Sequence, residues 1–533
     1  MYQCPNCGGG LKFDIPSQQL KCDHCATLVD PYSLNAGSAG AEESTYYDVT
    51  VFTCPHCGGE IIGQENSAAE FCSFCGASTV LNSRLDRVKR PNYIIPFTKT
   101  KEDCKAAYKA HIGHSFFAPR ELKNPAYIDS FRGIYMPYWA YHISQNCSTY
   151  MQGTDSHRSG DYIITDHFNL YITVDAYYKG LSYDASSSFY DNISEAIAPY
   201  DVKQMRAFHP AVLSGFYADA ADVDYSIYMD DAMEYANTST LKQIKRVPVF
   251  SGISINEPTG LFQQNEVLQS QCKEVDSAMY PVWFMSYRKG KRVAYATVNG
   301  QTGKVAADFP ISVGKYLLCS VLVAIPLFLL LSLLFTFTAP FTMSMSTVLA
   351  LISCIIYATE VSGIAKKDAF IDDQGVKSGK GNPSLYKSGS KPKATFEGRK
   401  SGIILFIIIF CVIGIFPILL DLANAANSGL GASPVFIFIM LAGTILTTII
   451  GKHSGKKYRL KIKSPGFGCA IASPAVSLII SIIDPASDVF YYGGVFFSLL
   501  MIVFLNAGII RKYNVLATRR LPQFNRVGGD NRA

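Results

Sequence analysis

The chain has 533 residues, enough for two or more domains, with 48 Lys+Arg against 42 Asp+Glu and 15 cysteines. Its formal charge of +6 hides a split: residues 1–314 hold 26 basic and 33 acidic side chains, residues 315–533 hold 22 and 9. A single soluble domain is thereby excluded, because an acidic region of mixed polarity precedes long apolar runs with basic connectors, as expected of a soluble part followed by a membrane part.

The first elements are metal knuckles. Cys4/Cys7, Cys22/Cys25, Cys54/Cys57 and Cys72/Cys75 form four Cys-x-x-C pairs, with 14 residues between the pairs of each half and a repeat after 50. A Cys-x-x-C turn puts two sulfurs on one loop, and two such loops complete a tetrahedral thiolate shell. The spacing predicts two structural Zn²⁺ sites in two small β ribbons, residues 1–32 and 51–82, joined by a flexible Gly/Ala/Ser/Glu-rich linker, 33–50. About thirty residues bury too little apolar surface to fold alone, so metal must supply the stability. Thiol–disulfide exchange and an exchangeable, sensory metal are the alternative uses. Catalytic zinc is disfavoured, since four thiolates leave no open position for water. His24 and His56, inside the knuckles, are expected to face solvent. Residues 1–90 carry six basic and ten acidic side chains, which disfavours nucleic-acid binding.

From Pro91 the composition becomes that of a globular domain, and an α+β fold is expected over 91–312. Thr100 is an N-cap for a helix whose face is expected to hold Cys104, Ala107, Tyr108 and His111. Alternation at Leu170, Ile172, Val174 and Ala176 predicts a strand. Helices are expected over 191–198 and 222–244, and a β-hairpin around Asn299–Gly303. Two segments echo one another, Tyr135-Met136-Pro137-Tyr138-Trp139 and Tyr280-Pro281-Val282-Trp283, and hold the only two tryptophans. They predict two related β-units sharing an aromatic core, or an aromatic ligand groove. No nucleotide-binding, nucleophile-elbow or metalloprotease motif occurs, so no enzymatic activity is expected.

Six apolar runs (315–338, 342–364, 402–421, 434–451, 468–484 and 490–510) predict an all-α transmembrane bundle over 315–510, followed by a basic tail, 511–533. Connectors 366–400, 452–463 and the tail hold nine, six and six Lys/Arg, whereas the alternate connectors hold none. This positive-inside pattern, with no apolar leader before Cys4, predicts a multi-pass cell-membrane protein with both termini cytoplasmic. Glu360, Asp421 and Asp484 lie at span ends rather than mid-membrane, which weakens a transport reading. The basic loop and tail are expected to be drawn to anionic membrane lipids.

The chain resembles the bacterial TFIIB-type zinc-ribbon-containing membrane proteins of Gram-positive genomes. The resemblance rests on Cys54-Pro55-His56-Cys57-Gly58-Gly59, the two Pro-x-Trp segments, His209-Pro210-Ala211-Val212-Leu213-Ser214-Gly215-Phe216, Asn299-Gly300-Gln301-Thr302-Gly303-Lys304 and Leu521-Pro522-Gln523-Phe524-Asn525-Arg526. Two complete ribbons, where many relatives have one, are a departure. The resemblance implies a membrane-anchored zinc protein and no established activity. The leading expectation is a cytosol-facing adaptor that binds a protein partner through its ribbons or its α+β domain. The alternatives are a transport-related protein with a regulatory ribbon region, its solute unknown, and a membrane-tethered regulator linked to nucleic acid.

Overall fold

The computed structural model describes residues 2–34, 46–63, 72, 74–75, 82–186, 189, 191–289, 292–307, 309–334, 338–340, 342–343, 345–350, 352–353, 356–357, 360, 465–483 and 485–520. The expected spans 402–421 and 434–451, the basic connectors 366–400 and 452–463 and the tail after 520 lie outside them.

In chain order the strands are β1 (Leu11–Asp14), β2 (Gln19–Cys22), β3 (Leu28–Val29), β4 (Tyr46–Thr53), β5 (Glu60–Gly63), β6 (Asn82–Lys89) and β7 (Tyr93–Ile94). They continue with β8 (Arg132–Ser159), β9 (Tyr162–Asp184), β10 (Arg206–Ala207), β11 (Tyr217–Ala218), β12 (Ser254–Ile255), β13 (Ser270–Lys289), β14 (Arg292–Asn299), β15 (Val305–Ala307) and β16 (Arg519–Arg520). The helices are α1 (Lys101–Gly113), α2 (Pro125–Ile128), α3 (Asp191–Ile197), α4 (Met229–Lys245), α5 (Leu261–Leu268), α6 (Val313–Leu334), α7 (Pro465–Ile483) and α8 (Asp488–Leu516). β1-β2-β3 form one small sheet, and the main sheet runs β10-β7-β13-β8-β11-β5-β4-β6, with β9 and β12 on β8 and β14 to β16 beyond β13.

The centre of that sheet is the antiparallel ladder of β8 on β13, in which Met136 pairs with Tyr280 and Tyr135 with Pro281. The two echoed segments therefore lie directly across from each other. Their prolines have a positional reason. β8 pairs with β11 up to Tyr135 and with β9 from Tyr138, so Pro137 sits where its neighbour changes. β13 pairs with β7 up to Met279 and with β14 from Val282, so Pro281 sits at the corresponding break. A residue without an N–H is tolerated inside a sheet where the ladder is interrupted.

The echoed segments share their aromatic packing as expected, Tyr138 stacking on Tyr280 at 4.4 Å and Phe97 lying against both Tyr135 and Trp283, but the two tryptophans part. Trp283 packs in the cluster around Phe97, Tyr108 and Tyr135, whereas Trp139 packs with Tyr141, Ile143 and Ala236 at the other end of the same face. Their indole N–H groups donate to the carbonyls of Lys99 and Val223 respectively. The opposite face carries Met136, Tyr138, Tyr280 and Phe284, covered by Ile193 and Ile197 of α3.

Thr100 caps α1 in a reciprocal capping box with Asp103. The buried face is Cys104, Tyr108 and Ile112, while His111, expected on that face, is exposed beside the Phe309 ring. The i, i+4, i+8 stripe faces the core, where Tyr108 packs edge-on to both Phe131 and Phe309, while His111 reaches Phe309 from the exposed side. The expected hairpin is β14/β15, and the alternating segment is part of β9. The region read as helical over 222–244 begins as a 3-10 turn, Tyr225–Tyr228, before α4. Strand pairing also extends into the stretch read as linker, since Tyr46–Thr50 pair with Lys89–Leu85.

Among the described residues, two helices are long and apolar enough to cross a membrane: residues 313–330 within α6, with none of that window buried, and residues 488–515 within α8. α7 packs on α8 through small polar residues, Ser473 Oγ to Ser498 Oγ at 2.8 Å, and Thr347 Oγ1 meets Ser477 Oγ at 2.6 Å. Gly494 of α8 faces Met343, whose Sδ would stand 2.8 Å from an added Cβ.

Gly300 tests the central packing. A Cβ there would stand 2.5 Å from Phe97 and 2.8 Å from Pro281. Gly300→Ala is expected to destabilise the sheet domain by about 1–3 kcal/mol, read as a lowered thermal midpoint of the purified full chain.

Candidate metal centres

Each ribbon builds its knuckles from backbone turns that aim donors at sulfur. In the first, Gly8 N–H donates to the Cys4 carbonyl and Cys4 N–H to that of Gly9. His24 N–H donates to Cys22 Sγ at 3.4 Å. In the second, Gly58 N–H donates to the Cys54 carbonyl, and Gly59 N–H to Cys57 Sγ at 3.4 Å. Gly8 and Gly58 adopt φ of 71° and 75°, the left-handed region in which glycine is unstrained.

The eight cysteines named from the sequence come together as two quartets, Cys4/Cys7/Cys22/Cys25 and Cys54/Cys57/Cys72/Cys75, with the sulfurs of each within 4.8 Å of one another. Sγ separations are 3.5 Å for Cys4–Cys25, 3.4 Å for Cys7–Cys22, 3.9 Å for Cys54–Cys75 and 3.6 Å for Cys57–Cys72. A zinc tetrahedron with bonds of about 2.3 Å has edges of about 3.8 Å, so each quartet could hold a metal ion, and its donor set suits zinc. Bound there, the ion would cross-link two knuckles and saturate its own coordination. His24 and His56 are exposed, as expected.

Thiol ionisation reflects the crowding. The Thr27 hydroxyl, then its backbone N–H, holds Cys25 down to about 6. Gly9 N–H favours the Cys7 thiolate, yet sharing protons with Cys25 and Cys22 pushes Cys7 up to about 12. In the second quartet, hydrogen bonds with Cys57, Cys72 and Cys75 pull Cys54 down, while those with Cys54, Cys72 and Cys75 push Cys57 up. Four sulfurs in such proximity cannot all ionise unless a cation joins them.

The two centres differ in enclosure. All four cysteines of the second are buried, whereas Cys7 of the first is exposed and Cys25 half-buried. Phe74, between Cys72 and Cys75, packs edge-on to Phe284, and the Tyr295 hydroxyl donates to its carbonyl at 2.8 Å. β5 meets β11 at Ile62 and Ala218, making the second ribbon part of the main sheet. The first ribbon docks by separate bonds. Phe13 N–H donates to the Ser214 carbonyl at 2.9 Å, and Gln18 Nε2 donates to the Phe97 carbonyl at 2.8 Å. A groove of about 380 Å³ remains where both ribbons meet the domain, lined by Tyr2, Tyr47, Asp48, Pro210, Leu213 and Phe216 among others.

Sequence reasoning missed Phe74, Thr27 and Gln18. An apolar residue at the x position of the last knuckle was the available signal for Phe74. Nothing local marks Gln18, whose partner is 79 residues away.

Among known proteins the chain is similar to YdjG of Bacillus subtilis (strain 168), an uncharacterized protein, at 28% identity over 318 residues, 59% of this chain and 91% of that one. This is distant homology, and the relative's name carries no activity. No family model matches the chain, and no solved structure matches it.

The purified chain is expected to carry two equivalents of zinc, and a thiol-competent chelator is expected to release one much faster than the other. Cys7→Ser should abolish the fast phase, measured by a colorimetric zinc assay. Ala26 holds φ of 58°, a cost of about 1–2 kcal/mol for a residue with a Cβ. Ala26→Gly should therefore slow zinc release from the first centre.

Proposed function

We propose that the protein is a membrane-anchored adaptor in which two zinc-stapled ribbons and an α+β domain form one cytosolic body that docks a protein partner. The six-span arrangement with both termini cytoplasmic, within the zinc-ribbon membrane family the chain resembles, belongs to this reading.

Support for the membrane geometry comes from the two ends of the apolar region. Asn514, near the end of α8, accepts from Ile311 N–H at 2.7 Å and donates to the Ile311 carbonyl at 2.7 Å. Ile311 is two residues before α6. The chain thus enters its first apolar helix and leaves its last at one place. If both cross the bilayer, the total number of crossings is even, which agrees with six and with the charge of the connectors.

The observation that carries the docking reading is the outer part of the β8/β9 hairpin. Beyond Thr154, where β12 stops pairing, every residue from 155 to 169 is exposed. Tyr162 and Ile163 at the tip are each 76% exposed. A bare two-stranded ribbon is marginal in water. Asp155 also faces Asp166 directly across the strands, an unfavourable pair that the His157 ring approaches only at 3.9 Å. Such an arm with apolar side chains at its tip suits insertion into a pocket of another protein.

A photo-crosslinking residue at position 163 of the full chain in cells is expected to trap one discrete protein, lost when Tyr162→Asp is added. Adducts to lipid alone, together with solute flux in vesicles holding the purified chain, would favour the transport alternative. Reporters before Tyr2 and after Leu516 are expected on the same side of the membrane, read by protease access to sealed vesicles.

A further inference from the structure

The loop between α1 and α2 has no part in either metal centre or in the hairpin arm, yet it is bolted to the start of α6. Ser312 N–H donates to the Phe117 carbonyl at 2.9 Å, and Lys315 Nζ donates to the Ala118 carbonyl. The Phe117 ring packs on Tyr316 with centroids 5.4 Å apart. These contacts place residues 116–123 beside the first turn of α6.

What the loop presents there is specific. Phe116 is 68% exposed and touches the Phe117 ring edge-on. Residues Arg120–Lys123 form a 3-10 turn whose Leu122 is buried. In a 3-10 turn residues i and i+3 eclipse, so Arg120 and Lys123 stand on one side. Both lie within electrostatic reach of Lys315. Both are exposed, and neither has a hydrogen-bond or ion-pair partner among the described residues. Glu121, the one carboxylate in the turn, receives the Tyr287 hydroxyl. Three cations are thus gathered with an exposed phenyl ring at the level where an apolar helix begins. Like charges so grouped repel unless an anion joins them.

We infer that Arg120, Lys123 and Lys315 form a binding site for the phosphate headgroup of an anionic lipid, with Phe116 seated in the adjoining acyl boundary. The inference rests on the reading that α6 crosses the bilayer. Membrane-facing basic clusters hold anionic headgroups, and aromatic rings settle at the interface. Arg120 offers a planar fork that matches phosphate oxygens, and the lysines add point charge. The site would fix the height and tilt of the soluble body over the membrane, because the loop is tied to α1 on one side and to α6 on the other.

The test uses the full chain in nanodiscs of phosphatidylcholine alone or of phosphatidylcholine with phosphatidylglycerol, followed by amide hydrogen exchange over residues 114–123. Exchange is expected to slow several-fold in the phosphatidylglycerol discs, and the Arg120→Gln/Lys123→Gln double variant should lose that difference while the β8–β13 core keeps its protection. Equal exchange in the two lipids, or a difference that survives in the double variant, would overturn the site. Equal protection from inorganic phosphate added to phosphatidylcholine discs would overturn the lipid as its ligand. Carbonate extraction of native membranes separates the two readings: release of the chain defeats the membrane-spanning premise, whereas retention without dependence on phosphatidylglycerol defeats the lipid site alone.

Discussion

The antiparallel pairing of β8 with β13 is the constraint on which the rest of the molecule depends. It brings two echoed segments, far apart in sequence, into direct register around Met136 and Tyr280. Each partner strand then changes neighbour at its proline, so four flanking strands attach to one ladder. One face of the ladder receives Phe97, which stacks on Phe216 at 4.4 Å and lies 5.1 Å from Trp283. Gly300 leaves room for the Phe97 ring and Gly133 for that of Phe216, where an added Cβ would clash. The other face receives α3.

Both metal centres lean on this ladder, by different means. The second ribbon extends the sheet and sends Phe74 to Phe284, which leaves its four sulfurs sealed. The first keeps its own three-stranded sheet and rests on the body through Phe13 and Gln18, leaving an outer sulfur in water. Two chemically identical quartets therefore differ in access, and the difference lies in what covers them rather than in the ligands. A metal in the second centre would hold shut a knuckle that is itself part of the domain core, so its loss would be felt by Phe284 and Tyr295.

Where the apolar helices join the sheet the chain makes a second closure. Asn514 grips Ile311, and β16 adds Arg519 and Arg520 to the free edge of β14. Arg519 and Arg520, just after the last described helix, are thereby part of the main sheet, although the composition of 511–533 reads as a basic tail. In the proposed arrangement, any tilt of α6 against α8 would be transmitted to β14 and so to the ladder.

Much was legible locally. The cysteine spacing named all eight candidate ligands, because a tetrahedral site built from two-sulfur turns leaves a periodic trace in the chain. The Thr100 cap, the Leu170–Val174 alternation and the Asn299–Gly303 turn were equally readable, since capping, pleating and turn conformation depend on neighbouring residues. Apolar length alone marked α6 and α8. Other features depend on partners far along the chain. The role of Pro137 and Pro281 needs the identity of four other strands, the sealing of Cys72 and Cys75 needs Phe284, and the separation of Trp139 from Trp283 needs α4. The clamp of Asn514 on Ile311 spans 203 residues. Sequence by itself determined which groups could bind metal and which segments could enter lipid, because those properties reside in residue type and short-range spacing. Tertiary structure alone decided which centre is sheltered, where the ladder breaks and that the two ends of the apolar region meet, because burial and register are properties of surfaces that only folding brings together.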